Sequence, residues 1–321
     1  MVRFHSLVTG GAGFIGSHVV EALLAKGDRV RVLDDFSTGF RANLDAVRDD
    51  IEIMRGTICD LNTVRKAMKG IDYVFHLAAN RAVLRSVENP RHTNDVNITG
   101  TLNILIAARD AKIRRVVFSS SSSVYGDTEK FPSDEKDQPL PASPYAVSKL
   151  VGEYYCQLFS KLYDLETVSL RYFNVFGPRQ NPESRYSAVI PIFIESLVFN
   201  HRPEVHWDGC QSRDFSYVDN VAHANLIARS HKRASGEVFN ISTQEELSVL
   251  EVLDELKRIL KKPSIQPRFA PKRPGDVRRT FASVQKATKE LGFKTQTRFE
   301  EGLEKTVEWF LKSRHPKRAR R

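Results

Sequence analysis

Cysteine is scarce in this chain of 321 residues, with three residues at Cys59, Cys156 and Cys210. Because they lie far apart and form no paired spacing, they fit neither a disulfide framework nor a metal site. Long hydrophobic runs are missing too, and none approaches the roughly 20 apolar residues that a helix needs to cross a bilayer. The opening segment leads directly into a glycine-rich motif and leaves no room for a signal peptide. We therefore expect a cytoplasmic protein with reduced thiols, no bound metal and no membrane span.

Acidic residues are outnumbered, since 39 Asp and Glu stand against 49 Lys and Arg and leave a net charge of +10. Such an excess raises the question of a nucleic-acid or membrane partner. Six of the positive charges fall in the last ten residues, Lys312–Arg321, which contain no acid. Removing those six from +10 leaves +4 on the first 311 residues. We expect neither kind of partner, and interpret residues 313–321 as a solvated basic tail, with contact to an anionic surface as the alternative.

What the chain does have is an alternation of short apolar runs and amphipathic stretches through its first half. The apolar runs, interpreted as strands, lie at 6–10, 29–34, 51–56, 72–78 and 114–120, and the predicted helices at 18–26, 63–69 and 97–111. Continuous Val, Ile and Phe runs are typical of parallel strands that are covered on both faces. Strand–helix–strand repeats connect through right-handed crossovers, so the pattern predicts an α/β fold with a doubly wound parallel sheet.

The second half of the chain is less regular. A Pro-rich loop at 131–143 precedes a helix predicted over 144–163 and a strand predicted over 166–175, and beyond Gly177 the alternation fails. The later predicted elements are a helix at 187–200, a strand leading into a helix at 212–230, a strand at 238–242 and helices at 247–260 and 299–312. We expect the strand at 238–242 to rejoin the main sheet.

Three glycines follow the first predicted strand and open the first helix. Gly10, Gly13 and Gly16 permit a tight turn, a close approach of backbone to a pyrophosphate, and close packing of helix on strand. The helix N-terminus adds N–H donors and partial positive charge for the anion. A glycine cluster alone also fits an ordinary tight turn. Asp34, at the end of the second strand, can accept hydrogen bonds from the adenosine ribose hydroxyls and would repel a 2′-phosphate, which predicts NAD rather than NADP.

A tyrosine and a lysine share one face of the helix predicted from Pro144. Ser143 suits the N-cap and Pro144 the first helical position, so Tyr145 and Lys149 become i, i+4 neighbours. A free tyrosine has a pKa of about 10, and a nearby ammonium favours its phenolate. Such a pair is common on protein surfaces, where it does no chemistry. Here it follows a serine-rich strand end, 118–126, of the kind that places a hydroxyl above a nicotinamide.

The motifs of the chain together resemble those of the extended short-chain dehydrogenase/reductase superfamily, and more closely its nucleotide-sugar 4-epimerases of the UDP-glucose/UDP-N-acetylglucosamine 4-epimerase type. In chain order they are TGGAGFIGSH (9–18), HLAA (76–79), SSSSSVYG (119–126), SPYAVSK (143–149), RYFNVFGPRQNP (171–182), RDFSYVD (213–219) and RPGD (273–276). The resemblance implies a Rossmann-type NAD-binding domain over 1–175, joined again by 212–245. A smaller mixed C-terminal substrate domain would comprise 176–211 and 246–312.

The resemblance also implies the chemistry. Tyr145 matches the base that takes the proton of the sugar C4 hydroxyl while hydride passes from C4 to NAD. Lys149 matches the residue that binds the nicotinamide ribose and lowers the tyrosine pKa. Ser121 matches the hydroxyl that bonds the sugar oxygen, with Ser122 and Ser123 as alternatives one and two residues on. The 4-keto sugar then turns over and takes hydride back on its other face, so NAD is regenerated.

The cofactor contacts implied by the resemblance surround the glycine turn and the helix of Tyr145. They are Gly10, Gly13, Phe14, Ile15, Gly16, Asp34, Ile58, Leu77, Ala78, Ala79, Asn97, Tyr145, Lys149 and Phe173. Two departures stand out. Thr57 occupies the position where family members usually carry an aspartate that bonds the adenine amine, so only an uncharged acceptor is left there. Arg81 stands where some members have a lysine near the nicotinamide.

Four further residues match substrate contacts, which with Ser121 complete the expected UDP-sugar site. Asn174 matches a residue that faces the phosphates, and Arg213 and Arg273 match a pair that clamps the diphosphate. A guanidinium suits that task because its planar fork donates two hydrogen bonds to phosphate oxygens. By composition alone, each arginine would be an ordinary surface charge.

The fourth residue, Thr280, matches a gate beside the sugar C2 position. A tyrosine there restricts family members to UDP-glucose and UDP-galactose, whereas a small residue leaves space for an N-acetyl group. Thr280 therefore predicts that N-acetyl sugars are accepted. A shift of one residue, to Arg279 or Phe281, would reverse the inference.

Alternatives to epimerisation remain open. Related dehydratases and decarboxylases carry carboxylates near the hydroxyl residue, whereas here Ser121 is followed by Ser122, Ser123 and Val124. A second alternative is a non-catalytic protein that senses NAD. The presence of Tyr145, Lys149 and Ser121 argues against it, because such sensors lose the active site. The resemblance further implies a homodimer formed through helices near 93–110 and 144–163, although the same amphipathic pattern fits helices that only cover the sheet.

Overall fold

The structure, a computed structural model, describes residues 3–81, 83–180, 188–272 and 277–314. Within these ranges no helix combines the length and the apolar character needed to cross a membrane. The strands are β1 (His5–Thr9), β2 (Arg29–Asp34), β3 (Ile51–Arg55), β4 (Tyr73–His76), β5 (Arg115–Ser121), β6 (Glu166–Tyr172), β7 (Val175–Phe176), β8 (Glu204–His206), β9 (Ser212–Asp214), β10 (Ser216–Tyr217), β11 (Glu237–Ile241), β12 (Glu246–Ser248), β13 (Arg268–Ala270) and β14 (Arg279–Thr280).

The α-helices are α1 (Phe14–Ala25), α2 (Leu61–Ala67), α3 (Val83–Glu88), α4 (Pro90–Asn94), α5 (Gly100–Asp110), α6 (Pro144–Leu162), α7 (Val189–Val198), α8 (Val218–Ser230), α9 (Val249–Ile259) and α10 (Phe299–Arg314). Shorter 3₁₀ or π segments occur at Arg41–Asp50, Asp95–Thr99, Ser122–Tyr125, Lys232–Ala234 and Ala287–Leu291. The helix expected over 18–26 starts four residues earlier, directly after the glycine turn. The helices α3 and α4 were not predicted.

The central layer is a seven-stranded sheet with the order β11-β6-β5-β4-β1-β2-β3. All its strand pairs are parallel. The chain starts at β1, adds β2 and β3 on one side, and then continues with β4 on the other side, so the direction of winding reverses between β1 and β4. The predicted doubly wound parallel sheet is confirmed. In such sheets ligands bind beyond the carboxyl ends of the strands at the point of reversal.

Two hydrophobic layers cover the sheet because successive residues of a strand face opposite sides. On one side Val8, Val32 and Phe75 pack with α1 and α8, and on the other Leu7, Leu33 and Val74 pack with α2 and α5. Strand residues buried on both faces explain the continuous apolar runs of the sequence.

A smaller mixed unit lies beyond the sheet, as the sequence predicts. Its core combines α7, α9 and α10 with short strands, and Phe193, Phe215, Leu253 and Leu303 are fully or almost fully buried in it. Strand β9 pairs antiparallel with β12 and parallel with β14, which makes this small sheet mixed. Strand β11 returns from this region to pair with β6 at the edge of the main sheet.

The strand expected over 166–175 ends earlier than predicted. Strand β6 stops at Tyr172, and Asn174 adopts a positive φ of 30° that an extended strand does not allow. The chain therefore turns, and Val175–Phe176 pairs with β10 in a separate two-stranded sheet. This turn carries the chain from the main sheet into the smaller unit and places Asn174 at the junction.

Candidate active site

The glycine turn after β1 has no space for side chains. Gly10 has a φ of +71°, and a Cβ atom there would lie 2.7 Å from the amide nitrogen of Ala78. A Cβ atom on Gly16 would collide with the carbonyl oxygen of Gly10. Helix α1 then begins at Phe14, and Gly13 supplies no side-chain cap. The backbone N–H groups of the first turn therefore have no side-chain cap, and such groups can bind a pyrophosphate.

A cavity of about 510 Å³ extends from this turn to helix α6. Most of the predicted cofactor residues line it: Gly10, Gly13, Phe14, Ile15, Gly16, Asp34, Ile58, Leu77, Ala78, Ala79, Tyr145 and Lys149. The departures noted in the sequence, Thr57 and Arg81, line it as well. The cavity opens at the carboxyl ends of β1 and β4, where the winding of the sheet reverses.

Asp34 fits a ribose-binding role and also supports the turn itself. Its two carboxylate oxygens accept hydrogen bonds from the backbone N–H groups of Ala12, at 2.9 Å, and Phe36, at 2.8 Å. Burial raises the pKa of this carboxyl, while these two hydrogen bonds lower it. A carboxylate beside Gly10 and Gly16, where a Cβ atom has no room, matches the needs of NAD, so the residues present fit this cofactor.

Two predicted cofactor residues lie behind the cavity wall. Asn97 is 2% exposed, accepts the N–H of Asn80 at 2.7 Å and donates to the Ser148 hydroxyl at 2.9 Å. Phe173 is 1% exposed and packs against Tyr125, whereas its neighbour Tyr172 lines the cavity. Asn97 can act on a cofactor through Asn80, which is a lining residue that sequence reasoning missed.

Arg179 is a second lining residue that the sequence analysis did not single out. Its guanidinium donates to both carboxylate oxygens of Glu21, at 2.6 and 2.7 Å, and to the Asn43 carbonyl at 3.1 Å. These contacts join the segment after β7 to α1 and to the 3₁₀ segment after β2. No local pattern reveals them, because the partners are distant in the chain. The available signal was the position of Arg179 within the motif RYFNVFGPRQNP (171–182).

The catalytic candidates converge at the end of β5. The predicted cap is present, since Ser143 Oγ accepts the Ala146 N–H at 3.1 Å at the start of α6. One helical turn separates Tyr145 from Lys149, and both line the cavity. The Ser121 hydroxyl lies close enough to the Tyr145 phenol to lower its pKa. Ser121 and Tyr145 are thus brought together, and Ser123 Oγ lies 3.0 Å from Ser121 Oγ.

Lys149 is held by the backbone of the same strand end. Its Nζ donates to the Ser119 carbonyl at 2.7 Å and lies 5.8 Å from the centre of the Tyr145 ring. Burial lowers the pKa of Lys149 to about 8. Burial raises the pKa of Tyr145, whereas the Ser121 hydroxyl and the charge of Arg81 lower it. The charge of Arg81 favours the phenolate, which is the effect that the sequence predicts for Lys149.

A second cavity, of about 260 Å³, lies on the side of the smaller unit and is lined by Asn174 and Arg213. Asn174 Nδ2 donates to the Thr280 hydroxyl at 2.8 Å, so Thr280 faces the junction. Arg213 donates to the backbone carbonyls of Ser212 at 2.7 Å and Val277 at 2.9 Å. Arg273, the predicted partner of Arg213, lies outside the described residues.

Neither neighbour of Thr280 turns toward Asn174 in the contacts that the structure shows. Arg279 pairs with Glu246, at 2.7 Å, and stacks on Phe131 and Phe281. Thr280 is therefore the residue of this short strand that meets the candidate substrate contact.

His76 is a structural residue. It is 1% exposed and its ring nitrogens bond the hydroxyls of Thr9, at 2.8 Å, and Thr101, at 2.9 Å. Burial lowers its pKa to about 3, so the ring is neutral. Among the described residues, no group of three or more His, Cys, Asp or Glu side chains could hold a metal ion.

Known proteins are similar to this chain in sequence and in architecture. The profile of the NAD dependent epimerase/dehydratase family matches residues 6–242. The chain is 40% identical over 313 residues to a putative UDP-glucose 4-epimerase of Methanocaldococcus jannaschii, which covers 94% of this chain and 97% of the relative. The structure of a UDP-N-acetylglucosamine 4-epimerase from Methanobrevibacter ruminantium, in complex with UDP-N-acetylmuramic acid, gives a TM-score of 0.93 at 37% identity, over 98% of this chain and all of that chain.

The structure of a UDP-glucose 4-epimerase from Thermotoga maritima with UDP-glucose gives a TM-score of 0.92 at 37% identity, over 96% of this chain and 99% of that chain. Relatives of lower identity bear the names of other reactions. They include a UDP-N-acetyl-alpha-D-glucosaminuronate decarboxylase of Bacillus cytotoxicus, 32% identical, and a dTDP-D-glucose 4,6-dehydratase of mouse, 33% identical. The architecture thus serves several reactions of sugar nucleotides.

Proposed function

The chain belongs to the NAD-dependent epimerase/dehydratase family, the extended short-chain dehydrogenases/reductases, and from this premise we propose that it is a UDP-hexose 4-epimerase. The observation that carries the proposal is that Tyr145 and Lys149 line the cavity of the glycine turn, with Ser121 beside Tyr145 at the end of β5. The substrates proposed are UDP-glucose and UDP-galactose, together with UDP-N-acetylglucosamine and UDP-N-acetylgalactosamine.

The proposed reaction assigns a task to each of these side chains. NAD, when bound, supplies a reversible two-electron oxidation of the sugar at C4. Tyr145 accepts the proton of the C4 hydroxyl and returns it after the sugar has turned over. Ser121 holds the same sugar oxygen and passes the proton to the neighbouring phenol. Lys149, fixed at the Ser119 carbonyl, provides a positive charge beside the cofactor ribose.

The charge of the site favours proton acceptance during the reaction. Burial alone keeps Tyr145 protonated, because it disfavours the phenolate. The charge of Arg81 opposes burial, because it lowers the pKa of Tyr145. A positively charged group bound in the cavity would lower this pKa further. Tyr145 is thus expected to become an effective base in the loaded site.

Acceptance of N-acetyl sugars is supported by Thr280. Its hydroxyl bonds Asn174 at the junction between the main sheet and the smaller unit, and its small side chain leaves more volume than a tyrosine would. Asn174 and Arg213, with Arg273 from the RPGD motif, are proposed to bind the UDP phosphates.

A homodimer is proposed as the working unit. Four apolar residues on one face of α6 are 43–62% exposed: Val147, Tyr154, Leu158 and Leu162. Their spacing of seven, four and four residues along the helix forms a stripe that a second copy of α6 could cover, as in a four-helix bundle.

A substrate panel tests the activity. Purified protein is incubated with UDP-galactose, UDP-N-acetylgalactosamine and UDP-glucuronate, and the products are separated by chromatography. Conversion to the C4 epimers is expected for the first two sugars. Release of CO2 from UDP-glucuronate would indicate a decarboxylase instead. Protein that retains NAD but converts none of these sugars would contradict the enzyme proposal and favour a sensor.

A further inference from the structure

Helix α6 carries a third residue on the face of Tyr145 and Lys149. Glu153 follows Lys149 by four residues and is 1% exposed, so a carboxylate lies completely inside the protein directly behind the candidate site. Burying a charge is costly unless it is paired and hydrogen-bonded. The groups that pair with Glu153 therefore indicate its role.

The first partner is Arg171 of β6, which is 3% exposed. The guanidinium approaches both carboxylate oxygens of Glu153, with Nε at 2.9 Å and Nη2 at 2.7 Å. Its remaining Nη1 donates to the Tyr125 hydroxyl at 2.8 Å, and that hydroxyl donates to Asn240 of β11 at 2.8 Å. The ion pair is thus held by contacts from two strands, β6 and β11, from helix α6 and from the 3₁₀ segment Ser122–Tyr125.

The second partner is Ser120 of β5, whose hydroxyl donates to Glu153 Oε1. Ser120 stands opposite Arg171 in the parallel ladder, so the carboxylate lies above two neighbouring strand ends at once. Ser120 also lies between the two residues that contact the catalytic candidates. The carbonyl of Ser119 accepts a hydrogen bond from the Lys149 ammonium, and the hydroxyl of Ser121 lies beside the Tyr145 phenol.

We infer that Glu153, with Arg171 as its counter-ion, is a positioning residue that locks the end of β5 through the Ser120 hydroxyl. Without this lock the end of the strand can rotate or slide. The Ser119 carbonyl and the Ser121 hydroxyl would then lose their places relative to Lys149 and Tyr145. Glu153 touches neither cofactor nor substrate in this arrangement. The inference rests on the proposed epimerase function, because its main readout is turnover.

The variant that isolates the lock is Ser120→Ala. Glu153→Gln is less suitable, since it leaves Arg171 buried without a counter-charge and is expected to unfold the protein. Ser120→Ala keeps the ion pair and removes only its link to the strand end. Displacement of reacting groups by about 1 Å can lower a rate by about 100-fold. We expect kcat to fall about tenfold or more, with KM for the UDP-sugar, NAD content and Tm close to those of the parent.

The matched control is Ser169→Ala on β6. Ser169 is as deeply buried, at 1% exposed, but it bonds Cys156 and not the ion pair. It should retain kcat within twofold. Ser120→Thr, which restores the hydroxyl, should recover most of the lost kcat.

Two results would overturn the inference. One is a kcat for Ser120→Ala that equals that of Ser169→Ala. The other is a loss confined to NAD content or KM, which would make Ser120 an ordinary contact of the cavity. A parent protein without turnover of any UDP-hexose would instead contradict the proposed function, so the two failures are distinguishable.

Discussion

Tyr145 illustrates how a single residue acquires chemistry from its surroundings. The neighbouring Ser121 hydroxyl and the charge of Arg81 favour ionisation of its phenol, while burial opposes it. Proton transfer by a positioned side chain contributes about 10²–10⁴-fold to a rate.

Tyr145→Phe removes the proton acceptor and leaves the ring. We expect turnover to fall at least about 100-fold, with NAD content unchanged, since the glycine turn is untouched. Activity is measured with UDP-galactose, and bound NAD is measured by absorbance after denaturation. Tyr163→Phe, at the exposed end of α6, is the control and should retain full activity. Substantial residual turnover in Tyr145→Phe would contradict the assigned base.

Thr280→Tyr tests the gate at the same scale. The larger side chain should fill the space beside C2, so kcat/KM for UDP-N-acetylgalactosamine should fall at least about tenfold while that for UDP-galactose changes little. Thr280→Ser, which keeps the hydroxyl bonded to Asn174, serves as the control. An unchanged preference between the two sugars would refute the gate.

At the residue scale, the sequence predicted those members of the site that sit in short motifs. Gly10, Gly16 and Asp34 could be placed because a turn without side chains and a carboxylate at the end of β2 follow from local spacing. Arg179 could not be placed, since its partners lie on elements far away in the sequence. The side chain of Phe173 points into a buried cluster, because alternate residues of an extended chain face opposite sides.

At the scale of elements, the strands of the first half were predicted within one or two residues at most ends. Apolar runs of four to seven residues between helices leave few other interpretations. The short strands of the smaller unit were missed in part, since β12 and β14 have only two or three residues and depend on β9 for their existence. Tertiary contacts, rather than local preference, decide such elements.

Asp214 at the end of β9 connects this strand to the segments that follow β11 and β14. It is 0% exposed, and its Oδ2 accepts the Ser242 hydroxyl, at 2.6 Å, and the Ala282 N–H, at 3.2 Å. Burial raises the pKa of Asp214 to about 7. Between the ordinary value of about 4 and this value, the folded protein keeps a proton that the unfolded chain releases. The stability that this group contributes is therefore complete below pH 4 and is lost as the pH rises through 7.

Asp214→Asn removes the titration and keeps an oxygen for the two hydrogen bonds. We expect Tm to fall a few degrees less in the variant than in the parent between about pH 4 and about pH 7, as measured by thermal unfolding in a series of buffers. Asp254→Asn, an exposed position on α9, should leave the slope of the parent unchanged. Parallel slopes for Asp214→Asn and the parent would show that Asp214 does not titrate in this range.

The whole molecule presents one apolar stripe on α6, formed by Val147, Tyr154, Leu158 and Leu162. Leu158→Glu should convert the proposed dimer into a monomer, because the charge would be buried between the copies without a partner. Sedimentation at several concentrations gives the mass. Leu311→Glu on α10, where the leucine is 39% exposed, is the matched control and should stay dimeric. A monomeric parent, or a variant that remains a dimer, would contradict the assignment of this face.

The position of β11 in the main sheet has a consequence for folding during synthesis on the ribosome. β6 is complete after Tyr172, but its outer neighbour is supplied by Glu237–Ile241, which the ribosome makes only after α7 and α8. Until then β6 is an open edge with unpaired backbone groups, the kind of surface that recruits stray strands from other chains. The nascent chain therefore passes through a period of exposure to aggregation that ends when β11 emerges and docks.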